Sequence, residues 1–206
     1  MVIVWIETAA GAVVGAGSGT YAAGAVRGSY SRHGLVTAVL TGLGGALGIG
    51  LALRVRPTLF AAACLALLAV AIPLAAIDAA TRTLPDRLLL PAIPACVALL
   101  ALGAADASEY HSLWRALAGG AVLFAAFTLL ALCVPGGLGF GDCKAASLCA
   151  LPLGYLGWTH VLFGIFTAYL LAAFYIIVRR LMGRSSSTLA FGPFLFIGAF
   201  IALLLA

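Results

Sequence analysis

Apolar stretches of about 20 residues follow one another along almost the whole of this chain, parted by a few polar or charged residues. Stretches of that length match the hydrocarbon layer of a bilayer, where every backbone polar group must be bonded within its own segment, so they form helices. Composition agrees: 65% of the 206 residues are hydrophobic, 8% are charged, and mean hydropathy is +1.21, whereas soluble domains are apolar over roughly half their residues. The expected fold is all-α, a polytopic transmembrane bundle of about eight spans. They cover roughly 2–24, 35–53, 58–77, 88–104, 115–134, 143–158, 159–178 and 189–206. Residues 1–57 would form two N-terminal helices and 58–206 a core of about six. Little chain remains for an extramembrane domain, so a site must be built from helix ends and short loops. Nucleotide-binding folds, zinc ribbons and soluble receptor modules are thereby excluded.

The sixth stretch is short for a crossing and holds Pro152, which suggests a half-buried or broken helix. Charge decides its count. With eight spans the odd-numbered loops carry Arg27, Arg32, Arg82, Arg87, Lys144, Arg179, Arg180 and Arg184, against Arg54, Arg56 and Arg115 in the even ones. Basic loops stay in the cytoplasm, so the odd loops face inward and both termini outward. The net charge of +5 is thus a signal of orientation and not of nucleic acid. The start lacks a basic segment, contains Glu7 and runs into further apolar stretches, so it reads as a retained span. Gly11, Gly15 and Gly19, and Gly44 and Gly48, recur at a spacing that lets membrane helices pack closely.

Cys64, Cys96, Cys133, Cys143 and Cys149 include no CxxC pair, which argues against a disulfide framework and a zinc site. No cofactor or metal is called for. The six acids then carry the search. Glu7, Asp106 and Glu109 fit solvated ends or loops, the last two in a polar outer loop with Tyr110 and His111. Asp78 closes the apolar run AVAIPLAAID, Asp86 follows in TRTLPDRL, and Asp142 stands in GGLGFGDCK. All three fall on the predicted cytoplasmic side. A carboxylate at a membrane helix end is expensive unless it is paired or faces a polar cavity. Two together can hydrolyse a peptide without metal, the ionised one taking a proton from water and the protonated one donating. Gly137, Gly139 and Gly141 would give the backbone unusual freedom beside Asp142, although a glycine turn capped by an aspartate is the plainer explanation of that motif. Cys143 lacks a histidine on its side, since His111 and His160 fall opposite, and His33 reads as an interfacial loop residue.

Asp78 with TRTLPD, GLGFGDCK 64 residues further on, and FGPF at Phe191–Phe194 together resemble the type IV prepilin leader peptidases, over about residues 58–206. The resemblance implies a membrane-embedded aspartic endopeptidase of the bacterial inner membrane, with Asp78 and Asp142 as the catalytic pair. Asp86, Lys144, Gly139 and Gly141 would support them, Lys144 by balancing Asp142. It implies prepilin or pseudopilin precursors as substrates, cut at the cytoplasmic face after a glycine between a basic leader and an apolar helix. Larger members carry a CxxC domain between their first two spans and also methylate the product. Here that stretch is RGSYSRHG, from Arg27 to Gly34, so methyl transfer is not expected. The Asn of the family's first-span motif is also missing, though Gly17, Ser18 and Arg27 echo it. A small proton-coupled transporter using the same two aspartates is the alternative.

Overall fold

The computed structural model describes residues 59–134, 138–183 and 189–206. Six helices follow in order: α1 (Leu59–Thr81), α2 (Asp86–Ala107), α3 (Tyr110–Cys133), α4 (Phe140–Leu156), α5 (Trp158–Leu181) and α6 (Gly192–Leu204). No strand occurs among the described residues. The two expected N-terminal spans, with their glycine repeats and the 27–34 loop, lie outside these residues.

Helices α1, α2, α3 and α5 are long and apolar enough to cross a membrane; α4 and α6, of 17 and 13 residues, are shorter. Their placement explains the difference. α4 touches all five other helices, and Cys143, Ala145, Ala146 and the run from Leu148 to Tyr155 are buried. A helix walled in by protein need not match the bilayer. Its sequence is accordingly apolar on every side, and Pro152 lies buried within a continuous helix, so the expected break does not occur. α3 and α5 instead leave Trp114, Leu129, Leu132, Leu162, Phe166 and Phe174 exposed, as suits lipid-facing helices. Small residues set the closest approach: a Cβ on Gly198 of α6 would fall on the Gly164 carbonyl of α5.

Successive helices run antiparallel. Asp78 near the end of α1 meets Gly192 at the start of α6, and Lys144 of α4 meets Asp86 at the start of α2. At the far end Phe60 stacks on Tyr155, ring centroids 5.1 Å apart. The five basic side chains at 82, 87, 144, 179 and 180 therefore share one end with the three acids singled out above, and Arg115 stands at the other, as the charge pattern requires.

Connections differ between the ends. At the far end Ser108 and Glu109 alone join α2 to α3, and Gly157 alone joins α4 to α5. Ser108 takes a left-handed conformation, φ 57°, and the Glu109 N–H closes on the Ala104 carbonyl at 2.8 Å. Asp106, Tyr110 and His111 are consequently helical and not in a polar outer loop. Polarity there marks the edge of the apolar layer, not the end of a helix. For the same reason α1 continues past residue 77 and α4 begins before 143, so Asp78 and Asp142 lie within helices.

Candidate active site

Asp78 sits one turn before the end of α1, where the Arg82 N–H reaches its carbonyl at 2.8 Å and the Thr81 hydroxyl donates to the Ile77 carbonyl at 2.8 Å. Its side chain is buried, with 5% of the residue exposed. A buried carboxylate needs donors, and one comes from the opening of α6. The Gly192 N–H donates to Asp78 Oδ2 at 2.9 Å. That N–H belongs to a helix N-terminus, where donors lack intrahelical partners and the dipole favours negative charge. Pro193 follows, a residue suited to a first turn because its missing N–H would have had no partner. The close approach requires glycine, since a Cβ at 192 would lie 2.8 Å from the same carboxylate oxygen.

Asp142 occupies the first turn of α4. Its N–H donates to the Gly139 carbonyl at 3.0 Å, and the Gly139 N–H returns a bond to Asp142 Oδ2 at 3.2 Å. The other oxygen, Oδ1, is buried and has no hydrogen-bond partner among the described residues. Asp78 is near enough to act electrostatically on Asp142. Tyr169 lies within similar reach of Asp142. Its ring packs against Phe191 with centroids 5.2 Å apart, and Phe127 lies 6.2 Å from both rings. Two acids from different helices thus lie at one end of the bundle, with the Tyr169 and Phe191 rings packed nearby.

The glycines act differently from the expectation. Gly139 has φ −79° and ψ 146°, an extended conformation open to any residue, and Gly141 is not among the residues with positive φ. What Gly141 supplies is space. A Cβ there would stand 2.8 Å from Cβ of Leu84, so its absence lets the α1–α2 connection seat against the first turn of α4. Gly137 lies outside the described residues. Cys143 is buried, its thiol turned back on the Gly139 carbonyl at 3.7 Å.

Lys144 departs from its expected place. Its Nζ bonds Asp86 Oδ1 at 2.6 Å and lies 5.2 Å from the centre of the Phe140 ring, so its ion pair is with Asp86 and not Asp142. Two residues along a helix is about 200° of rotation, which sets neighbours of that spacing on opposite faces. The two supporting residues are therefore one unit, tying the start of α2 to the start of α4. Two further residues went unnoticed in the sequence. Gly192 acts through its backbone, signalled only by the FGPF string, and Arg115 of α3 donates to the Gly154, Tyr155 and Leu156 carbonyls, the first at 2.9 Å. It caps the C-terminus of α4 at the pole opposite Asp142.

Membrane-length helices gathered round a short inner helix define a polytopic membrane protein, in which Asp78 and Asp142 lie at one end. The chain belongs to the type IV leader peptidase family, whose profile matches residues 64–177 and so takes in both acids. It is 34% identical over 138 residues to the prepilin leader peptidase/N-methyltransferase of Escherichia coli K12. The match covers 63% of this chain and 57% of that relative, so less than two thirds of the relative's length is spanned. No solved structure matches the chain.

Proposed function

We propose that this chain is an aspartic-type endopeptidase that removes the leader from type IV prepilin-like or pseudopilin precursors at the cytoplasmic face of a bacterial inner membrane. The observation that carries the reading is the convergence of Asp78 and Asp142, 64 residues apart in sequence, within electrostatic reach of each other. Two carboxyls so placed share one proton, because both cannot ionise cheaply. The ionised member takes a proton from water as its oxygen attacks the scissile carbonyl, and the protonated member donates to the carbonyl oxygen. Collapse of the tetrahedral intermediate returns a proton to the leaving amine. The unpaired Asp142 Oδ1 suits this role, since a buried acceptor without a donor is costly and a shared proton or the attacking water satisfies it.

Asp86 and Lys144 position the two helix starts and do not take part in proton transfer. The cut would fall after a glycine at the border of a basic leader and an apolar helix, with that border brought to the end of the bundle where Asp78 and Asp142 lie. Methyl transfer is not part of the proposal, in view of the short 27–34 stretch.

Co-expression with a candidate prepilin tests the reading. Leader loss is expected with the native chain and none with Asp78→Asn or Asp142→Asn, and the purified product should carry an unmethylated N-terminus. Cleavage that persists in both aspartate variants would refute the assignment.

A further inference from the structure

A cavity of about 260 Å³ lies beside the start of α6, lined by Ala79, Arg82, Tyr175, Arg179, Pro193 and Phe194 among others. Two cations and two aromatic rings face it. The Arg179 guanidinium donates to the Tyr175 hydroxyl at 3.3 Å and lies 5.7 Å from the Tyr175 ring centre. That ring in turn packs on Phe194 with centroids 5.3 Å apart. Neither arginine has a carboxylate within ion-pair distance among the described residues, where the pair found is Lys144 with Asp86. Two arginines lining one small cavity without a carboxylate give it a positive potential, which suits an anion.

Arg82 adds a second, independent sign. It caps α1 in the left-handed region, φ 56°, where glycine is the cheaper residue. Its side chain lines the cavity, which a glycine in that conformation could not do. The place is also informative. Arg82 follows the end of α1, and Arg179 lies in the last turn of α5, both membrane-length helices, so the cavity lies at the level of lipid headgroups. From Phe194, which lines it, the same face of α6 continues to the exposed Ile197 and the half-buried Ile201, and offers an apolar track running into the bilayer.

We propose that this cavity binds the phosphate of an anionic phospholipid, with Arg82 and Arg179 holding the phosphate and the outer side of α6, from Phe194 to Ile201, seating an acyl chain. Guanidinium groups match phosphate oxygens in geometry and charge, and basic pockets between membrane helices are a recognised setting for anionic headgroups. A lipid fits better than a free anion because cations and apolar track are continuous. The site uses neither Asp78 nor Asp142, although Ala79 and Pro193 of its lining adjoin Asp78 and Gly192, and lipid binding is read out separately from cleavage.

The test uses the full chain in nanodiscs of phosphatidylcholine with a minor share of phosphatidylglycerol, the co-purifying lipids being counted by native mass spectrometry. Phosphatidylglycerol should be enriched, and Arg82→Gln or Arg179→Gln should each cut the enrichment by about fivefold. Arg87→Gln, a basic residue outside the cavity, should leave it unchanged. In the native chain a photoreactive phosphatidylglycerol should label the segments around 79–82, 175–179 and 189–194, a result that does not depend on any variant folding. Equal loss with Arg87→Gln, labelling elsewhere, or displacement by inorganic phosphate as readily as by lipid would overturn the assignment. So would labelling of the cavity by an acidic peptide and not by the lipid.

Discussion

The first N–H of α6, from Gly192, donates to the carboxylate of Asp78 across 114 residues of sequence, at 2.9 Å. This bond fixes where α6 begins relative to α1, and it satisfies one oxygen of Asp78, the most deeply buried acid among the described residues. It also leaves no room for a side chain at residue 192.

Gly192→Ala is therefore expected to push the Asp78 carboxylate from its place while the chain inserts and folds. Misplacing a reacting group by about 1 Å costs about 100-fold, and kcat should fall by that order in a purified cleavage assay. A loss under about fivefold would show that Asp78 does not need this position.

The paired acids make a prediction in pH. On the proposed mechanism, activity requires one carboxylate ionised and its partner protonated. As pH falls the base takes up its proton and the acid limb appears; as pH rises the acid loses its proton and the alkaline limb appears. The profile of kcat/KM should be bell-shaped. Asp78→Asn and Asp142→Asn should each lose at least about 100-fold, and the double variant little more, because members of one unit are not additive. A monotonic profile, or additive losses, would count against a shared proton.

How legible was this in the sequence? Asp78 and Asp142 stood out because acids are scarce and costly in apolar runs, and the order of helices was legible because charge interrupts hydrophobicity. Three things were hidden. A backbone donor such as Gly192 carries no side-chain signature. The partner of Lys144 was misjudged because nearness along the chain is not nearness round a helix, where residues two apart face away from each other. Helix limits were drawn where apolarity stops, yet the Asp106 to His111 stretch stays helical because its hydrogen bonds continue past the apolar layer, apart from the turn at Ser108 and Glu109. The first two spans fall outside the described residues.

The pair of Asp86 and Lys144 should matter modestly. Asp86 is 55% exposed and Lys144 17%, and solvent screening holds exposed pairs to about 1 kcal/mol or less. In a double-mutant cycle with Asp86→Asn and Lys144→Met, the coupling in unfolding free energy should lie at or below that figure. Each single variant should retain cleavage within about tenfold of the native chain, since positioning and not proton transfer is lost. An inactive Asp86→Asn beside an active Asp78→Asn would instead make Asp86 the partner of Asp142.

Arg115 should matter more to stability than to chemistry. Its guanidinium serves three carbonyls at the end of the inner helix, and hydrogen bonds to charged groups are worth about 1.5–3 kcal/mol each. Arg115→Leu is expected to destabilise the chain by about 2–3 kcal/mol, read as a lowered unfolding midpoint in detergent. Arg115→Lys, with its smaller set of donors, should recover part of the loss. An unchanged midpoint in Arg115→Leu would mean that water serves those carbonyls equally well.

The unequal connections of the bundle also have a mechanical meaning. One pole is cinched by a two-residue turn and by Gly157, whereas the other is joined through residues 82–85, 134–139 and 182–191. Helices held that tightly cannot part at the cinched pole without unravelling their own last turns. Parting of α2 from α3, or of α4 from α5, is thereby confined to the opposite pole, as forceps open only at their tips, and that is the pole where Asp78 and Asp142 meet.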